Sequence, residues 1–209
     1  LKNLVNDPHA RVRLEAVRVL ALIPTPEAAE VAMQALDHDV DEWLDYALWQ
    51  TARELQPHWQ PALTAGTISF GGNAKHVAFA LKSAGSPEAV PVLVKMLREN
   101  QVKAGDQAAV LDVIAEFGRP EDLKLVLDVA TATGSAPEIQ AGCLSALLNA
   151  KQRRNLQPGG SLDAVGALLK SENDTVAGLA ARAIGIWHVD SQWGALKDRL
   201  AKGGPATDA

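Results

Sequence analysis

Apolar positions along the chain recur at the three- to four-residue spacing of helices, and the runs are cut by regular breaks. Val12, Ala16, Val19, Leu20 and Ile23 fall on one side of a helix. Val176, Ala180, Ala183, Ile184 and Trp187 repeat that phase near the other end of the chain. Prolines supply one series of breaks: Pro26, Pro57, Pro87, Pro120 and Pro158 are separated by 31, 30, 33 and 38 residues. A second series lies between them, at Asp7-Pro8, His38-Asp39, Gly71-Gly72, Gly105-Asp106, Ala136-Pro137 and Asn173-Asp174. Residues of these types cap or stop helices. The pattern predicts helices near 9–23, 26–36, 41–55, 58–65, 73–84, 87–99, 106–117, 120–132, 137–151, 161–170, 174–187 and 191–201.

Those twelve helices form six antiparallel pairs. Pro26-Glu27-Ala28-Ala29, Pro87-Glu88-Ala89-Val90 and Pro120-Glu121-Asp122-Leu123 each open the second helix of a pair. Proline loses no useful N–H at the first helical position, and a first-turn glutamate meets the positive end of the helix dipole. One short pair cannot bury its apolar face alone, so neighbouring pairs are expected to stack. The expected fold is all-α, a right-handed α–α superhelix of about six pairs over residues 1–202. Residues 203–209, with Gly203-Gly204-Pro205, read as a flexible tail. Leu1-Lys2-Asn3-Leu4 reads as the end of a helix, so the chain is expected to be a piece of a longer protein.

Composition agrees with helix. The chain is 47% hydrophobic and only 4% aromatic, and its apolar content is mostly Ala, Leu and Val. A net charge of −5 argues against non-specific nucleic-acid binding, which needs a basic footprint. It also argues against a polybasic membrane anchor, and no run approaches the length of a membrane span. The lone cysteine, Cys143, can form no internal disulfide and sits in a small apolar context that favours a buried, inert thiol.

Motifs that carry chemistry are scarce. Asp37-His38-Asp39-Val40-Asp41-Glu42 has ligand types, but lacks the glycine and terminal glutamate of a calcium loop. It precedes a helix, where acidic residues cap N–H groups. Gly66-Thr67-Ile68-Ser69-Phe70-Gly71-Gly72-Asn73 lacks the lysine of a phosphate loop and reads as a connection with Phe70 tucked into the core. No two histidines share a helix at i, i+4, and there is no Cys-x-x-Cys-His. No catalytic residue, cofactor site or metal site is assigned. Arg11, Arg13 and Arg18, and Lys151, Arg153 and Arg154, read as solvated faces, the second group favouring a helix C-terminus.

The segment after the acidic run is the most unusual. Trp43, Tyr46, Trp49 and Trp59 fall within 17 residues, beside Arg53 and His58. Leu44, Leu48, Thr51 and Leu55 mark the buried stripe of that helix, and Asp45, Trp49 and Arg53 line another face at i, i+4, i+8. Arg53 is placed to lie over Trp49 as a cation–π pair. Two readings stand side by side. In one, the Trp49–Arg53 pair is structural and the other aromatics fill gaps between helices. In the other, Trp43, Tyr46, Trp49, Arg53, His58 and Trp59 anchor a protein partner, since aromatics and arginine dominate binding hot spots.

The run Asp7-Pro8-His9-Ala10-Arg11-Val12-Arg13-Leu14-Glu15-Ala16-Val17-Arg18-Val19-Leu20 resembles the HEAT-repeat signature, with Asn173–Ile184 as a weaker copy. Tetratricopeptide and ankyrin signatures are missing. Three runs go further: Asp7–Ala16, Trp43-Leu44-Asp45-Tyr46-Ala47-Leu48, and Thr51-Ala52-Arg53-Glu54-Leu55-Gln56-Pro57-His58-Trp59. Together with Val77–Leu81 and Gly118–Asp122 they resemble the HEAT-repeat domain of large planctomycete and verrucomicrobial proteins named membrane-bound dehydrogenases. In that family a β-propeller precedes the helical repeats and a c-type cytochrome domain follows them. The resemblance implies a non-catalytic spacer and docking platform between an oxidising domain and its electron acceptor. It also implies export of the parent, because covalent haem attachment occurs outside the cytoplasm. The partners implied are sister protein domains, with no nucleic acid and no direct membrane insertion. The alternative is a free-standing HEAT adaptor that binds a protein or peptide on its concave face. An enzyme of HEAT-like build, such as a bilin lyase, would need convergent acid, base or thiol groups, and the sequence assembles none.

Overall fold

The polar breaks act as helix caps. Asp41 accepts a hydrogen bond from the Leu44 N–H at 2.8 Å, Thr25 from Ala28 at 3.2 Å, and Asn173 from Val176 at 3.1 Å. Each satisfies an N–H that has no partner inside the helix. The computed structural model describes residues 1–201, apart from the side chain of Leu200. The expected tail over 203–209, and residue 202, lie outside the described residues.

Among the described residues the chain is all-helical, without strands. The α-helices are α1 (Ala10–Leu20), α2 (Pro26–Met33), α3 (Glu42–Glu54), α4 (Gln56–Thr64), α5 (Ala74–Ala84), α6 (Val90–Arg98), α7 (Gln107–Phe117), α8 (Pro120–Thr131), α9 (Pro137–Arg154), α10 (Asp174–Trp187) and α11 (Trp193–Ala201). Short 3₁₀ segments extend or precede several of them, as at Gln34–Asp37 and Pro87–Ala89.

The chain divides into two compact units, residues 1–113 and the residues from 114 on. In the first unit α1 packs on α3 and α3 on α5, while α2 packs on α4. Helices two apart in sequence are therefore side by side, in two layers. The layers close over Leu44, Leu48, Leu81, Leu93, Met33 and Trp59, all fully buried. In the second unit α9 packs on α10, and the 3₁₀ helix Asp163–Lys170 lies against both α8 and α11. Leu123, Leu127, Leu144, Leu147 and Ile184 fill that core.

Arginines tie turns to their neighbours. Arg13 is buried at 4% exposure, and its guanidinium donates to the carbonyls of Asp7 at 2.8 Å, Pro8 at 3.1 Å and Asp39 at 2.7 Å. It thus joins the breaks before α1 and before α3. Arg154, half-buried at the end of α9, donates to Ala115 O at 3.1 Å and Gly118 O at 2.8 Å. Burial pulls its pKa down from the usual arginine value, against the opposing pull of Glu116. Arg199 reaches Leu169 O at 2.6 Å. Backbone carbonyls at helix ends lack intrahelical partners, and a charged fork is well suited to gather them.

Several sequence expectations change here. Arg13 and Arg154 are structural clasps and not parts of solvated faces. In α1 the buried side is turned from the expected stripe: Val17 is fully buried while Val19 is 45% exposed. The inward reach of Arg13 and the packing of α1 along α3 set that rotation. Residues 163–170 form a 3₁₀ helix where an α-helix was expected. Gly166 sits at its centre, against the Gln192 side chain, where a Cβ would collide. Glycine weakens an α-helix, and the 3₁₀ rise lets these residues span about a third more length than an α-helix would. Pro57 does not separate helices; it occupies the first turn of α4, which starts at Gln56, one residue after the Leu55 corner. Leu1–Asn6 form hydrogen-bonded turns, with Leu4 N–H on Leu1 O at 2.8 Å and Val5 buried beneath them.

Arg13→Met keeps an apolar stem and removes every donor. It is expected to destabilise the fold by about 3 kcal/mol, since it strips three charge-assisted hydrogen bonds that join the turns before α1 and α3. Arg11→Met, at an exposed pair with Glu15 (3.3 Å), is expected to cost under about 0.5 kcal/mol. Urea unfolding midpoints of the two variants check this, and equal shifts would contradict the clasp.

Candidate functional site

Helix α3 sorts its residues by phase. Leu44, Ala47, Leu48, Thr51 and Ala52 face the core. Thr51 stays buried because its hydroxyl donates to Ala47 O at 2.7 Å. With α1 on one flank and α5 on the other, only the outer arc of the helix is free. That arc carries Trp43, Tyr46, Trp49 and Arg53. Trp43 is 67% exposed, Tyr46 61% and Trp49 39%, three large rings held in solvent on about two turns of helix.

The rings are ordered by contact. Tyr46 stacks on Trp49 with centroids 5.6 Å apart and planes 25° from parallel. The Arg53 guanidinium lies 4.9 Å from the Trp49 ring, as the spacing predicts. Arg53 also donates to Ser83 O at 3.1 Å, which fixes it over the indole. Tyr46, Trp49 and Arg53 therefore form a pre-organised stack, and Trp43 extends it toward the helix start. Large exposed rings grouped in this way mark an interaction site more often than scattered surface residues do.

The other two expected anchors lie elsewhere. Trp59 is fully buried; its Nε1–H donates to Ala52 O at 2.7 Å, and its ring meets Phe70 edge-on at 5.8 Å. It is a core residue beneath α3. His58 is exposed on α4, a helix that packs on α2 in the other layer. The gap-filling reading thus holds for Trp59 and not for Trp43 or Tyr46.

The remaining candidates have structural assignments. Asp41 caps α3, and Asp37 accepts from His76 Nε2 at 2.9 Å and from Asn73 Nδ2 at 3.2 Å. Among the described residues no group of His, Cys, Asp and Glu is arranged to hold a metal ion. In the glycine-rich connection Phe70 is buried with a left-handed backbone, φ 52°, and the N–H groups of Ser69 and Gly71 donate to Glu30. That anion-shaped turn is filled by the chain's own carboxylate. Cys143 is buried, and burial pushes its thiol up to about 12, so thiolate chemistry is suppressed. No described helix is long and apolar enough to cross a membrane.

One feature of the second unit was not anticipated, an open cleft of about 360 Å³ lined by Ser161, Asp163, Trp187, His188, Asp190 and Ser191. It holds serine, histidine and aspartate, but Ser161 and Ser191 both donate to Asp163. Those hydroxyls hold the Asp163 carboxyl below its usual range, Ser191 first. Among the described residues no hydrogen bond joins a serine to His188, so the nucleophile–base contact of a hydrolase is not formed. Sequence spacing gave no signal because the residues come from two separate connections.

His76 is buried and neutral in the fold. Desolvation pulls its pKa below the ordinary 6.5, partly offset by the Asp37 carboxylate beside it, with smaller effects of Lys75 downward and Asp106 upward. The folded protein therefore binds fewer protons than the unfolded chain below pH 6.5. Stability contributed by this group is complete above that pH and is lost as pH falls through it toward the folded value. His76→Gln should flatten this part of the profile; urea midpoints measured across pH for both proteins check it, and parallel slopes would contradict it.

Core and ridge respond differently to truncation. Trp59→Ala is expected to cost about 3–5 kcal/mol. Trp43→Ala and Tyr46→Ala should each change stability by less than about 1 kcal/mol. Denaturant titration distinguishes the two, and a collapse of the Trp43 variant would assign the ridge to packing.

Comparison with known proteins gives no match to a family model, a curated protein or a solved structure.

Proposed function

We propose that this chain is a non-catalytic helical scaffold of HEAT-repeat type that docks protein domains through the outer face of α3. The observation that carries the reading is the sorting of aromatics along one segment. Trp59 is spent on the core, while Trp43, Tyr46 and Trp49 stand exposed on a helix braced on both flanks. Exposed large rings forfeit hydrophobic stabilisation, so a surface that keeps three together is best accounted for by a partner that covers them. A braced helix loses little freedom on binding, which favours affinity. Packing between helices two apart, with arginine clasps at the turns, supports the stacked-pair architecture within each unit.

In its specific form the scaffold is part of a larger exported oxidoreductase, between a propeller domain and a c-type cytochrome domain. The HEAT-like Asp7–Leu20 run and the Trp43–Trp59 segment support this through their resemblance to that family. In this role the ridge docks a sister domain and the redox chemistry belongs to the neighbours.

The test uses the intact open reading frame. A propeller-like region before Leu1 and a Cys-x-x-Cys-His after Ala209 are expected, and a photo-crosslinker placed at Trp43 should join α3 to one of those domains. A start codon just before Leu1 and a stop just after Ala209 would overturn the linking role and leave a free-standing adaptor. A crosslinker at Trp43 that captures nothing more than one at Glu121, in the second unit, would overturn docking itself.

A further inference from the structure

The ridge is not a neutral apolar face, and its charge selects a partner. From Asp37 to Glu54 the chain has six carboxylates and a single cation, Arg53. Asp37 and Asp41 are engaged as hydrogen-bond acceptors within the fold, and Glu54 accepts from Gln50 at 2.7 Å. Among the described residues, the exposed carboxylates of Asp39, Glu42 and Asp45 enter no ion pair or hydrogen bond. On the helix Glu42 stands one turn before Tyr46, and Asp45 one turn before Trp49, at the i, i+4 spacing that places side chains together. That spacing puts a carboxylate on the same helix face as each of those two rings.

The cations on the flanking helices are engaged elsewhere: on α5, Lys75 donates to Leu36 O and Lys82 pairs with Asp112 at 2.7 Å. Arg11 and Arg18 on α1 both pair with Glu15, at 3.3 and 3.1 Å. The fold also contains one worked instance of what the ridge accepts. The group found over Trp49 is a guanidinium, held 4.9 Å from the ring centre. Trp43, the most exposed ring, has no ring partner among the described residues.

We propose that this face binds an arginine- and lysine-bearing segment of a partner protein. The inference rests on the docking reading given above and specifies its partner. Cationic side chains stack on Trp43 and Tyr46 as Arg53 stacks on Trp49, and Glu42, Asp45 and Asp39 balance their charge. Cation–π attraction and carboxylate pairing reinforce one another at one place, which a neutral or acidic partner cannot use. An apolar partner helix would have to strip water from three unpaired carboxylates. An acidic partner, nucleic acid included, would be repelled, adding to the net charge of −5.

The experiment is a binding titration of the whole chain with three labelled peptides of equal length: arginine/lysine-rich, glutamate-rich, and neutral aromatic-aliphatic. The basic peptide is expected to bind, and to weaken by about tenfold or more from low to high salt. Trp43→Ala/Tyr46→Ala should weaken it by about tenfold or more, as loss of hot-spot rings does. Glu42→Gln/Asp45→Asn, which keeps the rings, should weaken it several-fold, by about the strength of exposed charge pairs. Glu27→Gln/Glu121→Gln, remote in sequence, should leave it unchanged, and circular dichroism checks that every variant stays folded. Equal loss in the remote variant would mean general attraction to an acidic protein and overturn the assignment. Ridge-dependent binding of the neutral or acidic peptide would overturn the cationic partner while keeping the docking face. If no peptide binds in a ridge-dependent way, the cationic assignment falls, and the crosslink from Trp43 decides separately whether the docking reading survives.

Discussion

The structure around the candidate site depends on one constraint: a short amphipathic helix pair cannot shield its own apolar side, so each first helix must be covered by the next. Helix α3 meets that demand twice, against α1 and against α5. Its inner stripe, from Leu44 through Thr51 to Leu55, is then sealed. What is left is a narrow outer arc with no neighbour, and whatever residues sit there face water. Three aromatic rings in that position carry a meaning they would not have on a helix with a free flank. The packing rule that builds the core also fixes the orientation and rigidity of the ridge.

Turn closure is the second requirement, and charge performs it. Arg13 gathers three carbonyls from two breaks, and Arg154 gathers two at the α7–α8 corner. Gly118 belongs to the same corner, since a Cβ there would collide with the Ile114 carbonyl oxygen. In both arginines the terminal guanidinium nitrogens make these bonds, while the buried Nε has no hydrogen-bond partner, so each clasp stabilises by less than a fully satisfied guanidinium would. The clasps hold the connections between helices at fixed lengths while Leu, Val and Ala fill the interior.

Much of the local architecture was legible in the sequence, because caps and prolines act locally. Asp41 and Asn173 cap the helices that their positions predict, and the stripe ending in Trp187 is buried throughout. The phase of Leu44, Leu48, Thr51 and Leu55 also predicted the outward turn of Trp49 and its contact with Arg53. Residues whose setting is tertiary were not legible. Arg13 reads as one of three solvated arginines until the Asp39 carbonyl is brought to it from 26 positions away. Trp59 and Trp43 look alike as sequence, and differ because Phe70 and Ala52 enclose one of them. The 3₁₀ helix 163–170 brings Gly166 against the Gln192 side chain, a contact that no local pattern encodes.

The central claim is that the α3 ridge is a surface built to be covered. Hydroxyl-radical footprinting of the chain alone and of the chain saturated with the arginine/lysine-rich peptide tests it most directly, because oxidation of each indole reports its access to water. Trp43 and Trp49 should be oxidised in the chain alone and protected in the complex. Trp193, 40% exposed and in the other unit, serves as a reference beside buried Trp59. Equal oxidation of Trp43 in both preparations would contradict the account.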